Sequence, residues 1–156
     1  MASLTQTTAL GGTIPFDEII GGNRIREVSE AAMASLAMLK GQGAAFKKAA
    51  ASRLGELPAP GNTVSHAAGH GGGANHTSSI WMGPDQYLVE GIEAATLAAT
   101  FGASAAITDQ SDAWVRFDVT GGDVVVMLER LSCADTRRMQ AGSTTRTAIH
   151  LSLIHI

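Results

Sequence analysis

The chain has 156 residues, of which 45% are hydrophobic and 16% charged, and its formal charge is −3. That is enough for one domain with a single core, and too apolar for disorder throughout. Eleven Lys and Arg against fourteen Asp and Glu, with no basic stripe, argue against nucleic acid as partner, and no apolar run approaches the ~20 residues that span a bilayer.

In chain order, residues 1–24 carry Gly11-Gly12 and Gly21-Gly22 with little periodicity and read as a flexible leader. Arg24-Ile25-Arg26-Glu27-Val28 alternates polar and apolar and starts a strand. Met33 to Leu39 is a short apolar run closed by Lys40-Gly41; its length favours a buried strand, although Ala, Leu and Met also suit a helix. Phe46, Ala49, Ala50 and Leu54 recur at helical spacing, with Lys47, Lys48 and Arg53 on the wet side and Gly55 as stop. Residues 61–78 form a loop rich in Gly, Ser, Asn and His. Ile80-Trp81-Met82 and Gln86 to Val89 read as two strands around the turn Gly83-Pro84-Asp85.

Ala94, Leu97, Ala98 and Phe101 mark a second helix, closed by Gly102. A strand over Ala105 to Asp109 and a turn over Asp109 to Asp112 follow. Val115, Phe117 and Val119 alternate with Trp114, Arg116 and Asp118, the pattern of a half-buried strand. Val124, Met127, Leu128 and Leu131 mark a third helix, with Thr120 or Asp123 placed to cap it. Residues 143–156 begin like another strand and end on apolar Leu151-Ser-Leu-Ile-His-Ile156, which reads as an incomplete or non-native tail. The resulting class is α+β, a mixed or antiparallel sheet with helices on one face, over residues 25–142.

With only 4% aromatic residues and 18 glycines, the core rests on Ala, Val, Leu, Ile and Met. Such a core buries less area per side chain than an aromatic one, so a partner subunit is expected to supply burial. Cys133 stands alone, which excludes an internal disulfide, and beside Leu131 it reads as a small buried hydrophobe. The single cysteine and the absence of a charged-then-apolar start point to a reducing, cytoplasmic location.

Three groups bear on chemistry. His66, His70 and His76 could ligate a metal, but no helix fixes their spacing and no carboxylate is near in sequence, so a solvated loop is the stronger reading. Asp109, Asp112 and Asp118 offer carboxylates, and turn chemistry accounts for the first two. Arg116 and Asp118 share the face opposite Val115 and Phe117 and suit a surface or interface pair. The glycines of 69–73 lack the strand before and helix after that a dinucleotide site needs.

Two stretches carry a family resemblance. The first is Trp81-Met-Gly-Pro-Asp-Gln-Tyr-Leu-Val89. The second runs from Ala105-Ala-Ile-Thr-Asp-Gln-Ser through Val115-Arg-Phe-Asp-Val-Thr-Gly121 to Met127-Leu128 and Ser132-Cys-Ala-Asp135. Together they resemble the gamma subunit of heterotetrameric sarcosine oxidase, which is similar to the folate-binding domain of glycine-cleavage aminomethyltransferases. Gly122 departs from the family, which often has Pro there, and implies a looser helix start.

The resemblance implies a non-catalytic subunit that supports assembly of a complex demethylating sarcosine oxidatively to glycine. Its partners would be the alpha subunit, with beta and delta. The complex uses FAD, FMN, NAD and tetrahydrofolate, none of them carried by this chain. No catalytic, cofactor-binding or metal residue is transferred. Trp81, Tyr87, Trp114 and Arg116 are the expected interface contacts, set against packing in core or turn. The alternatives are a small tetrahydrofolate-binding, aminomethyltransferase-like module, with Asp109 as the nearest carboxylate, and a metal-binding loop protein using the three histidines.

Overall fold

The structure, a computed structural model, describes residues 7–29, 31–66, 77–149 and 152–156. Its strands are β1 (Asp17–Ile20), β2 (Asn23–Val28), β3 (Met33–Met38), β4 (Thr63–His66), β5 (Thr77–Gly83), β6 (Gln86–Glu90), β7 (Ala105–Asp109), β8 (Arg116–Gly121), β9 (Arg146–Ile149) and β10 (Ser152–His155). The helices are α1 (Gly43–Arg53), α2 (Ala94–Phe101) and α3 (Val124–Leu131). The class is α+β with antiparallel sheets, as expected, but the strands divide among three sheets rather than one. These are a five-stranded sheet in the order β4-β5-β6-β3-β7, a three-stranded sheet β1-β2-β8 and the hairpin β9-β10.

The five-stranded sheet holds the core. Leu36 stands between Tyr87 and Ile107 in register, and Ala34 opposite Val89, so these side chains share one face. On that face α1 contributes Phe46, Ala50 and Leu54, and α2 contributes Leu97 and Phe101. The rings of Phe46 and Phe101 lie 5.2 Å apart, a tilted pair that adds to simple area burial. Leu36, Val89 and Leu97 are fully buried. Of the two helical periods, Phe46, Ala50, Leu54, Leu97 and Phe101 point inward as expected, whereas Ala98 is exposed and Arg53 is half-buried rather than on the wet side; Gly55 follows the last turn of α1, its N–H donating to the Ala50 carbonyl.

The three-stranded sheet is built differently. Two glycines at positive φ, Gly21 at 58° and Gly22 at 88°, form the tight turn between β1 and β2. Gly121 of β8 has φ 144°, and a Cβ there would lie 2.5 Å from the Gly22 carbonyl oxygen, so only glycine lets these two backbones meet. α3 follows and lies against β8 and the short 3-10 turn Thr136–Arg138.

Four expectations need correction. The stretch 1–24 includes β1, an edge strand exposed along its whole length, which therefore lacks the one-sided apolar pattern that reveals a strand. Within 61–78, Thr63–His66 forms β4 and Thr77 opens β5; residues 67–76 lie outside the described part. Neither Thr120 nor Asp123 caps α3 through its side chain; Asp123 occupies the N-cap position, and its N–H donates to Asn23 Oδ1 at 3.1 Å. Cys133 is exposed rather than buried, because α3 ends at Leu131 and the chain leaves the helix before reaching it. In the tail, β9 and β10 pair in register from Arg146 opposite His155 to Ile149 opposite Ser152.

Candidate functional site

The charged face of the three-stranded sheet carries the densest polar constellation. β2 and β8 pair so that Arg26 stands opposite Asp118 and Val28 opposite Arg116, which puts Arg116, Asp118, Arg26 and Arg24 on one face. Asp118 accepts from Arg116 Nε at 2.9 Å and from an Arg26 terminal nitrogen at 2.7 Å. Arg116 also reaches Glu90 of β6 at 3.7 Å, and Glu90 accepts from Ser78 Oγ at 2.7 Å. This chain of charges joins the small sheet to the large one. Burial opposes ionisation of Asp118, but hydrogen bonds from Arg26 and Arg116 outweigh it and hold the carboxyl below its usual value. A carboxylate committed to two arginines is poorly suited to accept a proton near neutral pH.

Two further carboxylates, Asp109 and Glu27, are similarly occupied. Asp109 accepts from the Ser111 N–H at 2.9 Å and the Ser111 hydroxyl at 2.7 Å, the closed Asx turn that its sequence position suggests. Those bonds lower its pKa. Asp112 is exposed in the same turn, one residue past Ser111. Glu27 is 3% exposed and accepts from the backbone N–H groups of Phe16 at 3.1 Å and Ala9 at 2.8 Å. The Phe16 bond leads in depressing its pKa, with burial opposing. Glu27 thereby ties the segment before β1 onto the small sheet. No local pattern announces it, since a lone Glu in an alternating strand reads as a solvent-facing residue.

Of the three histidines, His66 lies on β4, and its Nε2 is 2.7 Å from Ser79 Oγ. Ser79 is fully buried, so this contact satisfies a core hydroxyl and offers no substrate access. His70 and His76 lie outside the described residues. Among the described residues, no three His, Cys, Asp or Glu side chains converge as a metal site, and no helix is long and apolar enough to cross a membrane.

The four expected interface residues separate into two pairs. Tyr87 faces α1, with its ring 6.3 Å from Phe46, and Trp81 stands opposite Tyr87 in register. Burial raises the Tyr87 pKa, with Asp85 adding to it. Trp114 and Arg116 belong to the small sheet's approach, both half-buried.

The half-buried strand read from Val115 to Val119 exists, but its apolar side is closed only at Val119, which is half-buried. Val115 and Phe117 are 46% and 38% exposed, whereas the Arg116 and Asp118 side chains are only 27% and 28% exposed. The charged side turns toward Glu90, and the other side is open at Val115 and Phe117 but covered at Glu27, which stands opposite Phe117.

Neither a family model nor a curated protein matches the chain. Among solved structures, it is similar to a chain of the heterotetrameric sarcosine oxidase from Corynebacterium sp. U-96, determined in complex with pyrrole 2-carboxylate. The TM-score is 0.67 at 21% identity, covering 88% of this chain and 72% of that one. The shared property is the fold.

Proposed function

We propose that this chain is a gamma-type, non-catalytic subunit of a sarcosine oxidase-like heterotetramer. The observation that carries the reading is the fold it shares with a chain of such an enzyme over 88% of its length. The Trp81 to Val89 hairpin and the Ala105 to Asp135 segment, which carry the sequence resemblance, both lie within the folded elements. The disposition of the polar groups agrees. Asp109 is engaged in a turn, Asp118 in ion pairs and His66 with a buried hydroxyl. In this role the chain contributes shape and contact surface, in the cytoplasm. Oxidative demethylation of sarcosine, with FAD, FMN, NAD and tetrahydrofolate, belongs to the other subunits, the alpha subunit being the direct partner, with beta and delta beyond it. Trp114 and Arg116 then serve the contact more directly than Tyr87, whose ring packs against Phe46 of α1, and Trp81, which pairs with Tyr87 in register.

The test is co-expression of the flavin-bearing subunits from the same source with and without this chain. The reading expects yield or flavin content of the assembly to fall when the chain is omitted. Unchanged yield and activity contradict it. Saturable micromolar tetrahydrofolate binding by the isolated chain, abolished in Asp109→Ala, would instead favour an independent folate module.

A further inference from the structure

Glu27 is a buried carboxylate that no cation neutralises. It is 3% exposed, and among the described residues none of the ion pairs includes it. Side chains alternate along β2, so Arg24 and Arg26 of the same strand stand on its other face, where they pair with Asp17 and Asp118. A buried charge without compensation is costly, so what holds this carboxylate must come from another part of the chain.

It comes from the segment before β1. The Ala9 N–H donates to one carboxylate oxygen at 2.8 Å and the Phe16 N–H to the other at 3.1 Å. The Thr8 hydroxyl and the Leu10 N–H also reach toward it and favour its charged form. Main-chain amides from both ends of one segment, with a hydroxyl, thus surround the group. Converging amides of this kind form a nest that binds anions.

The loop offering these donors is closed on itself. The Thr8 N–H donates to the Gly12 carbonyl and the Gly11 N–H to the Thr8 carbonyl, both at 2.8 Å. The Gly12 N–H donates to the Thr8 hydroxyl oxygen at 3.1 Å, which leaves the hydroxyl proton for Glu27. None of these bonds involves Glu27, so the shape of the loop is set within residues 8–12. Apolar burial adds little, since Leu10 and Ile14 are 60% and 79% exposed. The loop is preshaped, and its docking rests chiefly on one carboxylate.

We propose that residues 8–16 form a carboxylate-binding latch, an amide nest that holds Glu27 as its internal ligand and opens as a unit while β2 stays in its sheet. Its ligand class is a small carboxylate monoanion, which the nest accepts once the Glu27 side chain is removed. Such an opening breaks few hydrogen bonds and exposes little apolar surface, so it requires less free energy than unfolding the sheet. The latch is a property of the isolated chain.

The test follows amide exchange of the full-length chain as wild type, Glu27→Ala and Glu27→Gln, in formate or in chloride at equal concentration, with melts to check folding. In wild type, Ala9 and Phe16 should share one opening constant that low urea barely changes. The ladder amides of β2 should exchange roughly tenfold slower or more and accelerate with urea. Opening of Ala9 and Phe16 only together with β2 overturns the latch, and this comparison decides alone if Glu27→Ala does not fold. In folded Glu27→Ala, exchange at both amides should rise roughly tenfold, and formate but not chloride should restore most of the protection. Glu27→Gln fills the same space without the charge, so it should lose protection and gain nothing from formate. The proposal fails if neither variant alters the two amides. It fails equally if formate restores nothing in Glu27→Ala, or if chloride restores as much.

Discussion

Leu36 and Leu97 are sealed between β3 and α2, whereas Val125 and Val126, on the mixed apolar and charged helix α3, stand 41% and 44% exposed. The five-stranded sheet with α1 and α2 stabilises itself by burying aliphatic and Phe side chains on one face. The three-stranded sheet with α3 is held by a glycine-dependent close approach, a buried Glu27 and a ladder of ion pairs. Among the described residues, five of the six ion pairs have at least one member in this smaller lobe, and the sixth, Arg138 with Asp135, lies in the turn packed against α3. Exposed ion pairs contribute at most about 1 kcal/mol each, far less than a filled core position. One region is therefore closed around an apolar core and the other is held mainly by polar contacts, a contrast that agrees with the subunit role proposed above.

The largest expected effect separates the two regions directly. Leu97→Ala should destabilise the chain by about 2–5 kcal/mol in urea unfolding. Val126→Glu should stay within about 0.5 kcal/mol of wild type. Similar losses for both would erase the contrast. Next comes the close approach in the small sheet. Gly121→Ala should cost at least about 1–3 kcal/mol through strain and its clash with Gly22. Gly122→Ala, whose Cβ would meet nothing within 4 Å, should be nearly neutral by the same measurement.

A pH experiment sharpens the role of Glu27. Its carboxyl is depressed below the ordinary value of 4.5, so the stabilisation it gives is complete above that value. It is lost as pH falls through the lower folded-state value. Amide exchange at Ala9 and Phe16, followed by NMR and corrected for the pH dependence of intrinsic exchange, should therefore show constant protection from pH 6 to 8 and a loss only in acid. Glu27→Gln should raise both rates roughly tenfold at neutral pH and flatten the acid response. The smallest effect concerns the bridge between the sheets. A double-mutant cycle of Glu90→Gln with Arg116→Met should give a coupling below about 1 kcal/mol, since the pair is 3.7 Å apart and partly wet. A larger coupling would mean that charge, rather than chain connection, fixes the lobe to the main sheet.

The legibility of the sequence follows the same division. Phe46, Leu97, Phe101 and the strands around Pro84-Asp85 were readable because their apolar side is truly buried, so burial leaves a period in the sequence. β1 was not readable, because Asp17-Glu-Ile-Ile20 is exposed on both faces. The Gly21-Gly22 turn looked like leader flexibility until its partner Gly121 was in place. β8 is legible by its alternation, but the burial of its Arg116 and Asp118 depends on Glu90 and Arg26, both distant in sequence. Glu27 lacked any local signal, because the amides it binds come from a segment without regular structure. Asp109 was legible as a turn residue, since Ser111 two residues on supplies both its bonds.

The central claim is that the large sheet carries its own apolar core while the small lobe is held mainly by polar contacts and opens more readily. Hydrogen exchange of the isolated full-length chain, resolved by residue, tests it most directly. Amides of β3, β6 and α2 should exchange only through global unfolding, and those of α3 and β1 at least a hundredfold faster through local opening. Equal protection across both regions would contradict the claim.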